Sequence, residues 1–415
     1  MRIAHFTDTF HPKVDGIVVS ILNFSKKLIE QGHEVLVFAP KYKEMKSEII
    51  IKKMTIKRYF SFSLSSYPGV KIAFPNFIKM HKVMREWKPD VIHIHTPGLI
   101  GYAGIIFAKA FNIPSIGTFH TLVTEQLTYI SPKRLLKLDR LIDKISVGKK
   151  RDKKKIFSFL KKGLVQSEQK RDAKEGYAKK IVWKLATRVY NKCDKIIVPS
   201  KAIKTVLREH GIKKDIIVIS NGIGLDLFKP KKNYREKNLR LICVGRISYE
   251  KNIDVVIKSI DIVRQVYPSI LLEIIGPGPA LPSLKKLVRS LFLIRNVKFL
   301  GKVDYRKLGS FYRNGDIFLT ASTMETQGLV ILEAMACGLP VIGVKKYAIP
   351  DLVINGRNGY VVEPFNERKM AGKIIILLEN PALLKKFGKE SVKLAKLHDV
   401  NKMSRKLERA YKEML

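Results

Sequence analysis

The feature that most constrains this chain is an alternation, repeated in two halves, of short β-branched runs and helix-length amphipathic stretches. In the first half the strand-like runs are "RIAHFTD", "EVLVFAP", "DVIHIHT", "PSIGTFH", "KIIVPS" and "DIIVISN", with patterns such as "VSILNFSKKLIEQG" between them. Strands that are apolar along their whole length need cover on both faces, which a parallel sheet with crossover helices provides. The pattern breaks at "FKPKKNYREKN", residues 228–238, a polar, basic stretch with a proline. It restarts with "LRLICVGR", "LLEIIGPG", "NVKFLG", "DIFLTAS", "PVIGV" and "GYVVEP". A length of 415 residues suits two cores better than one. The expected fold is α/β, with two doubly wound parallel-sheet domains at 1–227 and 239–395, a linker at 228–238 and a C-terminal helix within 396–415. Such sheets bind ligands at the carboxyl ends of their strands, here in an interdomain cleft.

Composition narrows the setting. The three cysteines, Cys193, Cys243 and Cys337, are far apart and form no CxxC pair, which argues against a disulfide framework or a zinc site and fits a reducing cytoplasm. The start "MRIAHFTDTF" has none of the marks of a signal peptide. The most membrane-like stretch, residues 97–119, is interrupted by Lys109 and internal prolines and reads as a buried helix between strands. Charge is the unusual property: 79 Lys plus Arg against 36 Asp plus Glu, a net of +43, should draw the chain to polyanions or an anionic membrane. A basic insertion at 131–184 holds 19 Lys plus Arg and 6 Asp plus Glu. Within it Leu135, Leu138, Leu141, Ile142 and Ile145 share one helical face, and Phe157, Phe159 and Leu160 lie between lysine clusters. That pattern suits an interfacial helix, and equally two amphipathic helices packed on the domain.

The chemistry concentrates in "METQGLVILEAMACGLPV", residues 324–341. "DIFLTAS" reads as a strand, a turn follows, and a helix runs from Gly328. A helix start after a parallel strand points free N–H groups at an anion such as a diphosphate, and Gly328 permits close approach. Glu325 stands beside that start and Glu333 about two turns along, a spacing that suits gripping hydroxyls at the two ends of a nucleotide-sugar. Two plainer readings compete: a capping box between Ser322 and Glu325, and a salt bridge from Glu333 to a lysine of the next strand. In "VGRISYEKN", Arg246 and Lys251 follow a strand, where two cations can hold a diphosphate and neutralise its departure. No D-x-D occurs, so no metal-bridged diphosphate is indicated, and no cofactor is expected beyond a nucleotide-sugar substrate.

Together "GRISYEK", "IIGPGP", "VKFLGKV" and "ETQGLVILEAMACGLPV" resemble the retaining glycosyltransferases of the GT-B architecture, with two Rossmann-like domains (the family 4-like, group 1 enzymes). By matched position the resemblance implies that Arg246 and Lys251 bind the diphosphate, Glu333 the ribose and Glu325 the donor sugar. It places Gly276, Gly328, Leu329 and Val330 in the donor site, Gly16 in the glycine loop beside the diphosphate and acceptor, and His120 of "GTFHT" near the reacting sugar. It also implies a C-terminal helix that crosses back to the first domain. "FTDTFHPKVDGIVVSI", "TFHTLVTEQLTYI" and "ETQGLVILEAM" look most like the lipid-acceptor branch, the diacylglycerol glucosyltransferases.

Three functions follow. The first is a retaining, peripheral membrane glycosyltransferase on the cytoplasmic face, moving a sugar from a nucleoside diphosphate to a lipid. The second is the same chemistry on a soluble sugar phosphate, glycan or polyol. The third, a nucleic-acid-binding protein on a similar fold, has the charge in its favour. It lacks any RNP-like run or zinc-finger spacing and leaves the two glutamates unexplained, so no specific nucleic-acid partner is expected.

Overall fold

The computed structural model describes residues 1–13, 15–42, 51–63, 71–122, 172–232, 234 and 239–415. The chain divides into two compact units: Met1–Pro199, Lys204–Ile219 and Ser404–Leu415 form the first, and Ser200–Ile203 with Ser220–Met403 the second. The chain thus enters the second unit again at Ser220 and stays in it as far as Met403. The described part of 228–238, taken above as a linker, lies inside that unit, with Phe228 buried in its core and the Lys231 amine donating to the Gly315 carbonyl at 2.8 Å. Its lysines and tyrosine read as solvated linker, yet Lys231 is buried beside Asp316, an ion pair that offsets the cost of burying it. Residues 131–171 of the basic insertion lie outside the described residues; residues 172–184 belong to the helix Asp172–Tyr190.

The first unit carries a seven-stranded parallel sheet in the order β3-β2-β1-β6-β7-β8-β9. Its strands are β1 (Arg2–Phe6), β2 (Glu34–Pro40), β3 (Met54–Tyr59), β6 (Val91–Ile94), β7 (Ser115–Thr118), β8 (Lys195–Val198) and β9 (Asp215–Val218), and β4 (Ser61–Ser63) with β5 (Lys71–Ala73) forms a separate antiparallel pair. Successive strands add outward from β1 as far as β3, and the chain then returns to the other side of β1 with β6, so β1 and β6 flank the topological switch point. Asp8, just past β1, accepts the Ile100 N–H at 2.9 Å and the Gly101 N–H at 3.2 Å, capping the helix Leu99–Ala110. This helix is the apolar stretch between β6 and β7, and its side chains are mostly buried; among the described residues no helix is long and apolar enough to cross a membrane.

The second unit carries a six-stranded parallel sheet in the order β12-β11-β10-β13-β14-β15. These are β10 (Arg240–Val244), β11 (Leu271–Ile275), β12 (Val297–Gly301), β13 (Ile317–Leu319), β14 (Val341–Val344) and β15 (Gly359–Val362). Its core runs from Leu241, Ile242 and Ile274 through Phe318 and Leu319 to Ile342 and Val344. The switch point here lies between β10 and β13, the strands that precede Arg246 and Glu325. Both sheets are parallel throughout, the Rossmann-like pair that the sequence alternation predicts. The C-terminal helix Val400–Lys412 starts in the second unit, and its residues from Ser404 onward belong with the first.

Candidate active site

In the second unit the loops after β10 and β13 are tied to each other. Gly245, at φ +146°, turns the chain out of β10, and a Cβ on Gly276, at φ +137° after β11, would stand 1.9 Å from the Gly245 carbonyl oxygen. Only glycine permits that approach of two strand ends. The chain then forms a short helical turn, Tyr249–Lys251. Asn252 donates to the Ala321 carbonyl at 3.1 Å and the Thr323 hydroxyl at 3.2 Å, and the Thr323 N–H donates to the Glu250 carbonyl at 3.3 Å.

That frame places the charged residues. The Lys251 amine donates to Glu325 Oε1 at 2.5 Å, with both side chains partly buried. Arg246 pairs with Glu250 at 2.8 Å, and the Ser248 hydroxyl donates to the same carboxylate oxygen at 2.6 Å. Burial opposes ionisation of Glu250, but the Ser248 hydroxyl, a backbone amide and the two cations outweigh it and hold the carboxyl below its ordinary range. The cations expected from the sequence are therefore each held by a carboxylate, and Glu250, one residue before Lys251, was missed. Its signal is the i,i+4 spacing from Arg246.

Glu325 lies in the turn, and no capping box forms with Ser322, because the helix spans Leu329–Ala336 with Gly328 as its N-cap at φ +80°. A Cβ on Gly328 would meet Ile331 Cδ1 at 2.7 Å. No side chain among the described residues caps this helix, whose first turn contains Leu329 and Val330. Gln327, just before Gly328 and missed in the sequence, is buried; its side chain donates to the Ser220 hydroxyl and accepts the Asn221 N–H at 2.9 Å. Ser220 also bonds His398 at 2.9 Å, and the Ser200 hydroxyl donates to the Thr326 carbonyl at 2.7 Å. The turn carrying Glu325 is thus fastened to segments that lie next to the points where the chain passes between units.

Glu333 is only 3% exposed, among Ile331, Leu332, Ala334 and Met335. The Tyr305 hydroxyl donates to its Oε1 at 3.0 Å and the Tyr312 hydroxyl to its Oε2 at 2.9 Å. Burial raises the Glu333 pKa to about 7 against the opposing pull of the two hydroxyls, and burial together with the carboxylate drives both tyrosines upward. The partner expected as an alternative, a lysine of the next strand, is replaced by these tyrosines, 28 and 21 residues away along the chain. Glu325 and Glu333 therefore face different partners.

In the first unit, Gly16 opens the helix Gly16–Glu30, whose N-cap Asp15 accepts the Val18 N–H at 3.0 Å. His120 lies just past β7 and is buried; its Nε2 is 3.0 Å from Nδ1 of His95. His95 Nε2 lies 2.7 Å from His5 Nδ1, and the His95 ring stacks on His93 with centroids 3.9 Å apart. His93 is held by the Tyr411 hydroxyl at Nδ1 and the Thr118 hydroxyl at Nε2, each at 2.6 Å. His5, His93 and His95 are close enough to suggest a metal site. The 2.7 Å contact between His5 and His95 is a hydrogen bond, whereas two imidazole nitrogens on one zinc ion stand about 3.3 Å apart, from Zn–N lengths of about 2.0 Å. The cluster was missed in the sequence, although "VIHIHT" sets two histidines on one face of a strand.

Two Rossmann-like parallel sheets, with charged side chains at the switch point of the second, are the architecture of GT-B transferases. Residues 14–227 match Glycosyltransferase Family 4, and residues 226–394 match the glycosyl transferases group 1. The chain belongs to this family of glycosyltransferases. It is 29% identical over 413 residues to the alpha-monoglucosyldiacylglycerol synthase of Acholeplasma laidlawii, covering 94% of this chain and 92% of that one. To the enzyme of the same name from Streptococcus pneumoniae it is 27% identical over 389 residues, covering 90% and 78%. Its fold resembles that of HepE from Anabaena, solved with UDP-glucose, with a TM-score of 0.72, 18% identity and full coverage of both chains.

Proposed function

We propose that this glycosyltransferase moves a sugar from a nucleoside diphosphate to the hydroxyl of a membrane lipid with retention of configuration. The observation that carries the donor half is the Lys251–Glu325 pair at the switch point of the second sheet, beside the uncapped start of the helix Leu329–Ala336. A diphosphate at that helix start finds free N–H groups and the positive end of the helix dipole, with Lys251 and Arg246 as counter-charges. Gly276, Gly328, Leu329 and Val330 let the donor approach the backbone. Glu325, already oriented by Lys251, takes the hydroxyls of the sugar. Each oxygen of Glu333 keeps a second lone pair beyond the tyrosine bond, which is available to the ribose. In the first unit the family resemblance singles out Gly16 and His120 as the candidate residues.

Transfer then breaks the bond from the anomeric carbon to the diphosphate oxygen and forms the bond to the acceptor hydroxyl on the same face, with the leaving phosphate taking the acceptor's proton. The residues orient the substrates and stabilise the charge that develops. No step in this scheme calls for a metal or cofactor.

The lipid acceptor is supported by the two diacylglycerol-glycosylating relatives, whose similarity spans nearly the whole chain. Net charge of +43 adds attraction to an anionic leaflet. So does the helix Phe77–Trp87, where Ile78, 77% exposed, is accompanied by exposed Lys79, Lys82 and Arg85. A peripheral protein on the cytoplasmic face is the corresponding location.

The test is a panel of radiolabelled UDP-, GDP- and ADP-sugars incubated with the protein and anionic vesicles of total lipid, then extracted. Label in the organic phase is the expected result and names the donor. Label transferred to water-soluble acceptors alone would replace the lipid with a soluble acceptor.

A further inference from the structure

Tyr305 and Tyr312 of the second unit belong to one helical segment, the turn Tyr305–Lys307 and the helix Leu308–Asn314 that follows it. Both rings stand edge-on to the buried Phe228, with centroids 5.6 and 6.0 Å from it. So braced, the two hydroxyls converge on a single carboxylate, Tyr305 on Oε1 of Glu333 and Tyr312 on Oε2. An ionised carboxyl can only accept, so each tyrosine spends its one proton there. A bond to one oxygen alone would leave the carboxylate free to turn about its last torsion, whose preference is broad. Bonds to both oxygens from two anchored rings fix its plane.

The hold is also incomplete in a particular way. A buried glutamate is ordinarily matched by a cation, yet among the described residues none pairs with Glu333. A carboxylate has about four lone-pair sites, of which the tyrosines fill two. Two further O–H donors would complete the set, and the neighbouring 2′- and 3′-hydroxyls of a ribose are such a pair. Burial and the carboxylate itself keep both tyrosines protonated, so their donation persists at neutral pH.

We propose that Tyr305 and Tyr312 are positioning residues that set the plane of Glu333 and so give the donor site its preference for ribose over deoxyribose nucleotides. The proposal rests on the reading above that Glu333 meets the ribose. Without the two hydroxyls the carboxyl would remain but could turn away from the diol. Each hydroxyl also opposes the rise in pKa that burial causes, so its loss would leave Glu333 a poorer acceptor.

Titration calorimetry of the full-length protein with UDP, GDP and ADP, and with their 2′-deoxy and 3′-deoxy counterparts, tests this. The wild type should bind one ribonucleotide about 10-fold or more tighter than a counterpart lacking a hydroxyl, the scale of a hydrogen bond to a charged group. Tyr305→Phe and Tyr312→Phe each remove one oxygen and keep the ring against Phe228. Each should cut that ratio about 3-fold or more through weaker binding of the ribonucleotide, with the deoxynucleotide bound nearly as before. Tyr305 is only partly buried, so its variant decides the matter if loss of the Tyr312 hydroxyl, in the core, prevents folding. A ratio unchanged in the folded variants would overturn the proposal and confine the tyrosines to satisfying a buried acid. Equal wild-type affinity for the ribonucleotide and both deoxy forms would take the ribose away from Glu333, and binding of none of the nucleotides would overturn the donor reading itself. Either result removes the proposal as well.

Discussion

The Lys251 ammonium lies 2.5 Å from Glu325 Oε1, so the residue read as a phosphate ligand and the residue read as a sugar ligand hold each other in place. Each is the other's counter-charge when no donor is bound. Under the proposed function, Lys251→Ala removes a cation from the departing diphosphate, and it also leaves Glu325 partly buried without its partner. We expect kcat/KM to fall by about 10²-fold or more, the scale seen on removing one fixed donor from a developing charge. Glu325→Gln should lower kcat more than it raises donor KM. Steady-state kinetics with the donor found by the panel check both, and unchanged constants in both variants would remove the pair from catalysis.

Glu333 makes stability depend on pH in a definite direction. Its carboxyl, raised from about 4.5 to about 7, keeps its proton in the folded protein over a range where the unfolded chain has lost it. Stability contributed by this residue therefore falls as pH rises from about 4.5 to about 7, and is level on either side. Glu333→Gln should abolish that slope, leaving the variant more stable than the wild type above pH 7 by up to about 3 kcal/mol and equal to it below pH 4.5. Urea unfolding of both proteins across this range measures the difference.

Gly276 tests how far the glycine-lined strand ends are fixed. Gly276→Ala places a methyl 1.9 Å from the Gly245 carbonyl oxygen, in a backbone conformation that other residues avoid. A loss of about 3 kcal/mol or more is expected. Thermal unfolding should show it, with Gly372→Ala, on an open helix surface, as the tolerated control.

Gln327 should matter for binding as well as stability. Gln327→Leu leaves the Asn221 N–H without its acceptor and frees the turn between Glu325 and Gly328. The expected cost is about 1–3 kcal/mol in unfolding. Calorimetry should also find weaker binding of the nucleoside diphosphate, since the turn must be ordered again on binding. A variant less stable but equal in affinity would confine Gln327 to a structural role.

Much of this fold was legible because buried parallel strands write themselves as unbroken apolar runs. All six strands of the second sheet and six of the seven in the first follow mainly apolar runs, though Glu273 interrupts β11 and Lys298 the edge strand β12. The exception, β3 "MTIKRY", lies at a sheet edge with exposed Thr55 and Lys57, so its sequence does not look buried. The positions of Arg246, Lys251, Glu325 and Gly328 after strand ends, and of Glu333 within the following helix, were legible by spacing. Their partners were mostly not. Tyr305 and Tyr312 reach Glu333 only because the helical segment 305–314 packs beside the helix Leu329–Ala336, and Ser220 reaches Gln327 from 107 residues away. That the described part of 228–238 packs with the second unit was hidden for a similar reason, since burial of Lys231 depends on Asp316, far along the chain.

The product itself gives the most direct test of glycosyl transfer to lipid with retention. The protein is incubated with its nucleotide-sugar and lipid vesicles, the glycolipid is extracted, and proton NMR reads the configuration at its anomeric carbon. A lipid-linked sugar with the same anomeric configuration as the donor is the predicted result. An inverted product, or donor hydrolysed to free sugar with none attached to lipid, would contradict it.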